Sequence, residues 1–196
     1  MVHTLEHFIT GAVVSHPEPI PTVRAVGPEE AGALAAFADR LFHETYAPTC
    51  RAEDVIAYRT ANFTVEELGR ELRDPRGIVL LVEVGGALAG YAQLRLGPPP
   101  PGVEVEAGQA AVEIARFYVD APWHGRGVAQ AMMRAVRDAA VEHRAGALWL
   151  TVWEHNPRAQ AFYRKLGFRV VGAQTFVMGE DVQHDHVMTR GVDPLP

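Results

Sequence analysis

The stretch Pro122–Met133, PWHGRGVAQAMM, sets Gly125, Arg126 and Gly127 directly ahead of a helical pattern. Glycine inside a helix costs about 1 kcal/mol relative to alanine, so glycines crowded at a helix start point to a backbone that is put to use. Upstream, AVEIARFYV (111–119) reads as a strand. Downstream, Val128, Ala131, Met132, Ala135, Val136, Ala139 and Ala140 line one side of a helix over 126–143. A strand, a short glycine-containing loop and a helix make an anion site. The first N–H groups have no partner within the helix, and the dipole adds about half a positive charge there. Glycines let successive N–H groups turn toward one ligand, and Arg126 adds a cation at the same mouth. The spacing is neither that of a P-loop nor that of a dinucleotide fingerprint. Taken alone, GRG also fits a plain tight turn between strand and helix.

Past that helix, residues 147–153 (ALWLTVW) form the next strand, and the strand–helix–strand unit over 111–153 demands a parallel pair. Asn156 and Pro157 suit the cap and first turn of a helix that closes at Gly167. Two strands, 168–178 and 181–190, end the chain. On the other side, 77–84 and 87–96 form a hairpin around Gly85-Gly86, followed by a stiff exposed loop, GPPPPG (97–102). Residues 22–26 are a short strand. Pro28 opens a helix whose apolar face carries Leu34, Phe37, Ala38, Leu41 and Phe42, and a second helical region covers 52–73. Residues 1–21, interrupted by Pro17, Pro19 and Pro21, read as an N-terminal arm. The expected fold is a single mixed α/β domain over 22–191, in the order β-α-α-β-β-β-α-β-α-β-β.

Composition narrows the function. The 196 residues suffice for one domain with a real core, and 48% hydrophobic with 21% charged residues fits a soluble globular chain. The net charge of −6 argues against nucleic acid as the main partner. No apolar run approaches the roughly 20 residues needed to span a bilayer. The start lacks a signal-peptide pattern, and a single cysteine, Cys50, is compatible with a reducing cytoplasm. A cytoplasmic location is therefore expected, and Cys50 reads as incidental rather than nucleophilic.

Two separated motifs, RFYVDAPWHGRGVAQAMM and LWLTVWEHNPRAQAFYRKLGF, occur in the order and at the separation seen in the GCN5-related N-acetyltransferase (GNAT) superfamily, which the chain resembles over about residues 77–190. The family signature Q/R-x-x-G-x-G/A falls on His124 to Ala129, with His124 in place of Gln or Arg. The resemblance implies a sheet splayed around acetyl-CoA as cosubstrate. The diphosphate would lie on the N–H groups of Gly125, Arg126, Gly127, Val128, Ala129 and Gln130, and the pantetheine arm would pair beside Phe117, Tyr118 and Val119. It implies no metal.

Acetyl transfer to an amine needs a neutral nucleophile. At pH 7 an amine of pKa ~10.4 pays ~4.6 kcal/mol to lose its proton, and a carboxylate can take it. The resemblance offers Glu113 as first candidate base, with Glu154 second; either would otherwise be an ordinary surface carboxylate. A strand amide freed by a bulge in FYV would hold the oxyanion. Tyr163 matches the family tyrosine that protonates the leaving thiolate, with Phe162 beside it as packing. Asn156 serves as helix cap and as a contact to the cofactor arm.

His184 and His186, two apart, share a strand face; a metal pair is the sharper reading and a partly exposed face the plainer one. His43 and His155 carry no readable role. Glu44, Tyr46 and Glu53 lie where the family builds its acceptor wall, and acidic groups there would suit a cation. The segment FVMGEDVQHDHVMTR is loosely similar to the bacterial polyamine N-acetyltransferase branch. The expectation is an acyltransferase acting on a primary amine of a small molecule, a polyamine among the candidates, with a homodimer allowed. The alternatives are acetylation of a protein N-terminus or lysine, and a non-catalytic acetyl-CoA sensor.

Overall fold

The computed structural model describes residues 19–179 and 181–196; most of the expected arm 1–21 lies outside the described residues. Among the described residues, seven strands form one sheet in the order β1-β2-β3-β4-β5-β7-β6. They are β1 (Thr22–Ala25), β2 (Gly77–Val84), β3 (Ala87–Gly97), β4 (Ala111–Val119), β5 (Ala147–Trp153), β6 (Arg169–Met178) and β7 (Asp181–Gly191). Every neighbouring pair in this sheet is antiparallel except β4 and β5, which run parallel as the crossover requires. Both glycines of the β2–β3 hairpin have positive φ, 59° at Gly85 and 82° at Gly86, the conformation a two-residue primed turn needs.

Five α-helices among the described residues cover the two faces: α1 (Ala31–Tyr46), α2 (Ala52–Asn62), α3 (Val65–Arg73), α4 (Val128–Glu142) and α5 (Pro157–Lys165). Period-two alternation sorts β2 between them. Leu80 and Val82 join α4 and α5 in one core; Val79 and Leu81 join α1, α2 and α3 in the other. No helix among the described residues is long and apolar enough to cross a membrane.

Two local expectations change. The helical region 52–73 is two helices, because Thr64 caps a new start: its Oγ1 accepts the Glu67 N–H at 3.1 Å. Phe63, at the break, is buried against Phe42 at 5.1 Å between ring centres. Pro28 opens a single 3₁₀ turn, and the α-helix starts at Ala31. The proline-rich loop leads into a buried residue: Val103 packs with Ala111, Ala147 and Val187 in a small third core.

A buried ion pair ties the α1–α3 layer to β4. Arg116 Nη1 donates to Glu71 Oε2 at 2.7 Å, both side chains are under a tenth exposed, and the guanidinium lies 4.8 Å from the centre of the Phe63 ring. Removing one partner strands the other charge in a dry place. Glu71→Ala is expected to lower unfolding stability by about 3 kcal/mol, and the double change Glu71→Leu with Arg116→Met to recover most of it, as read by urea unfolding.

Candidate active site

β4 and β5 pair only at Ala111–Ala147, Val112–Leu148 and Glu113–Trp149. Beyond Glu113 they part, and a cavity of about 710 Å³ opens between them. A bulge sits at the parting point. Gln93 faces Arg116 and Leu94 faces Ile114, so Ala115 is one residue too many for the ladder. The extra residue reverses the alternation of β4. Val112 and Ile114 face the α4–α5 core before it, and Phe117 and Val119 after it. Arg116 and Tyr118 thereby turn toward the α1–α3 layer. The backbone edge of β4 from Ile114 to Val119 lines the cavity instead of pairing with β5.

At the far end of β4 lies the glycine loop. Gly125 and Gly127 have φ of 78° and 77°, and a Cβ built on either would meet nothing within 4 Å. Backbone conformation, not crowding, therefore requires glycine here, and both residues face open space. The Ala131 N–H donates to the Gly127 carbonyl at 2.9 Å, so the N–H groups of Val128, Ala129 and Gln130 are left without helical partners. Gly125, Gly127, Val128, Ala129 and Gln130 all line the cavity. Arg126 is exposed beside it, its guanidinium 5.6 Å from the centre of the Trp123 ring. The His124 Nε2–H donates to the Val119 carbonyl at 2.8 Å. The imidazole thus closes the end of β4.

From the opposite wall, α5 brings Asn156 and Tyr163. Asn156 Oδ1 accepts the Ala159 N–H at 3.0 Å and caps the helix. Tyr163 lines the cavity from within the α4–α5 core, edge-on to Phe117 and Phe168. Burial pushes its phenol above the ordinary tyrosine value, so it holds its proton at neutral pH.

Glu113 is not among the lining residues. It sits before the bulge, where β4 is still paired, and its carboxylate approaches Arg95 at 3.9 Å. Burial raises its pKa. Glu154 is exposed at the end of β5, 3.7 Å from His155. Of the expected acceptor wall, Glu44 and Tyr46 line the cavity, whereas Glu53 is bonded to Arg51 outside it. Burial pushes the Tyr46 phenol up to about 12, and its hydroxyl is hydrogen-bonded to that of Tyr118.

The carboxylate that the sequence reading passed over is Asp185. It lines the cavity, is 8% exposed, and has one carboxylate oxygen buried without a hydrogen-bond partner. The signal was present in QHDHV: if His184 and His186 share the outer face of β7, Gln183 and Asp185 share the inner one. His184 is exposed and His186 half-buried. Among the described residues no group of three or more His, Cys, Asp or Glu side chains is placed to hold a metal.

The sequence model of the acetyltransferase (GNAT) family matches residues 38–168, two thirds of the chain. The chain belongs to that family. An N-acetyltransferase of Mycobacterium tuberculosis, itself uncharacterized, is 33% identical over 161 residues, covering 82% of this chain and 97% of the relative. The N-alpha-acetyltransferase RimI of the same organism is 36% identical over 104 residues, covering 53% and 59%. Among solved structures, the PaiA N-acetyltransferase of Thermoplasma acidophilum in complex with coenzyme A superposes with a TM-score of 0.69 at 17% identity, covering 88% of this chain and 99% of that one. NAA60 of Arabidopsis thaliana in complex with a bisubstrate analogue gives 0.66 at 14% identity, covering 88% and 98%. These relatives are acetyltransferases by name, and the forked sheet is the GNAT fold.

Gly127→Ala is expected to cost about 1 kcal/mol of stability, because alanine resists a left-handed φ, and to place a methyl group at the free N–H cluster. Thermal melting reads the first effect. Calorimetric titration with coenzyme A reads the second, as a Kd raised several-fold.

Proposed function

We propose that this GNAT acetyltransferase moves an acetyl group from acetyl-CoA directly to a primary amine of a small molecule. One observation carries the reading: the unpartnered N–H groups at the start of α4 and the protonated phenol of Tyr163 line the same cleft. The first suits a diphosphate, the second a departing thiolate, and the free edge of β4 between them suits an amide-bearing arm. In this reading Gly125, Gly127, Val128, Ala129 and Gln130 hold the diphosphate through backbone donors, with Arg126 adding charge at the rim. The edge carrying Phe117, Tyr118 and Val119 pairs with the pantetheine. An amide of this edge, next to the Ala115 bulge, faces the developing oxyanion. Asn156 keeps the start of α5 in place while its other surface meets the arm.

A second reading, acetylation of a peptide α-amine, is supported by the 36% identity with RimI over 104 residues. For a polyamine, the likeness to PaiA at 17% identity supports the fold alone. Both acidic residues of the expected acceptor wall are already bonded to arginines: Glu44 to Arg40 and Glu53 to Arg51. A sensor that only binds acetyl-CoA has no chemical use for a buried, protonated Tyr163 at the cleft.

Tyr163→Phe is expected to lower kcat about 100-fold, the usual scale of a general acid, with the Kd for coenzyme A nearly unchanged. Thiol release against a panel of amines measures the rate. An unaltered rate removes Tyr163 from the chemistry, and binding without release from any amine favours the sensor.

A further inference from the structure

If the cleft transfers acetyl groups as proposed above, it needs a base, and we infer that Asp185 takes the proton from the incoming amine and that the acceptor is a monoamine with an aromatic or bulky apolar body. Most carboxylates near the cleft are already engaged. Glu44 and Asp120 both bind Arg40, at 3.1 and 2.7 Å. Glu71 is held by Arg116, and Glu113 stands behind the bulge beside Arg95. Asp185 differs from all of these. It faces the cleft from β7, no arginine or lysine among the described residues forms an ion pair with it, and it keeps one oxygen buried and unpartnered. A buried acceptor without a donor is costly, so its persistence points to a donor that arrives with a ligand. Thr151 on β5 hydrogen-bonds the carboxylate, and β7 pairs Asp185 with Trp153 at the end of β5, four residues past its last pair with β4.

The walls around it describe the rest of the acceptor. Phe42 stacks on Tyr58 at 4.7 Å, Tyr58 meets Phe176 edge-on at 5.8 Å, and Tyr46 is bonded to Tyr118; all five rings border the cleft. Rings around a carboxylate that no arginine or lysine among the described residues neutralises suit one cationic centre joined to an apolar group. An extended polyamine would want a carboxylate at each nitrogen. The same chemistry is offered by a small arylalkylamine and by a peptide α-amine next to a large apolar side chain.

In the transfer step Asp185 accepts one proton from the ammonium, and the freed lone pair forms the N–C bond to the acetyl carbon as the C–S bond breaks. Tyr163 gives its proton to the departing sulfur. The second proton lost by the nitrogen restores the phenol, and Asp185 returns its own to solvent.

Burial raises the Asp185 pKa; Glu154 at the end of β5 adds to this, while Thr151 on β5 and His186 on β7 oppose it. Tyr46 faces it from α1 and Gln174 across from β6. A carboxyl whose folded pKa lies above its unfolded one favours folding in its protonated form. Charging it as the pH rises through that value costs stability. A base in this setting therefore works against the fold, and its neutral replacement should help the fold.

The test compares wild-type protein with Asp185→Asn, using phenethylamine, a hexapeptide with N-terminal leucine, and spermidine as acceptors. Expected are a loss of at least 100-fold in kcat/KM in the variant and an unchanged Kd for coenzyme A. The variant's rate should climb with pH in step with the free amine, whereas the wild-type rate levels off. Its Tm should exceed the wild-type value at pH 8 and match it at pH 4. A merely structural aspartate would instead give a lower Tm at pH 8. A variant rate within threefold of wild type overturns the base. The acceptor panel needs wild-type protein alone: spermidine outpacing both monoamines overturns the acceptor class, and the faster of phenethylamine and peptide identifies its source. Absence of coenzyme A binding in the wild type would overturn the transfer reading beneath it, a result distinct from an active wild type indifferent to Asp185.

Discussion

Three residue pairs hold β4 to β5, and the molecule's chemistry depends on that pairing ending where it does. Backbone groups released from a ladder must find new partners, and here they border a cleft. The Ala115 bulge sets the point of release and also the facing of residues 116–119 beyond it. One added residue sends Phe117 toward Tyr163 and Arg116 toward Glu71. Without the offset, the two would exchange sides, and a guanidinium would press into the apolar core of α4 and α5.

The sheet keeps two cores apart, one on each face. α4 and α5 close one face and carry the glycine loop and Tyr163. α1, α2 and α3 close the other, and α1 and α2 carry Phe42, Tyr46 and Tyr58 of the rings that border the cleft. Charged contacts then lock the helical layer to the strand that forks: Arg116 with Glu71 in the interior, and Arg40 of α1 with Asp120 just past the end of β4. The cleft walls are therefore fixed by residues that stand mostly behind them.

Much of the fold was legible in the chain because its signals are local. β4 and β5 fall on the residues read from alternation, 111–119 and 147–153, and the glycine pair at 85–86 folds as its turn chemistry demands. The division of 52–73 was also written locally, in Thr64 followed three residues later by Glu67, but the apolar face running across it masked the cap. The glycine loop could be read because its two positive φ values demand glycine, which the spacing reports. Which carboxylate faces the cleft is a different matter. Which way Glu113 points depends on a bulge two residues later, and a bulge leaves no reliable mark in residue type. Asp185 was hidden by its neighbours, since two histidines drew the reading to the outer face of a strand whose inner face held the carboxylate.

The gap between β4 and β5 is bordered by side chains from both helical layers. In the proposed transfer, a gap walled from both faces lets the nucleotide-bearing donor lodge against the α4–α5 side while the amine comes and goes along the other, and neither has to vacate for its counterpart to reach the middle. That reading has both reactants meeting inside the protein, without a relay in which the enzyme is acylated first and the two callers take turns.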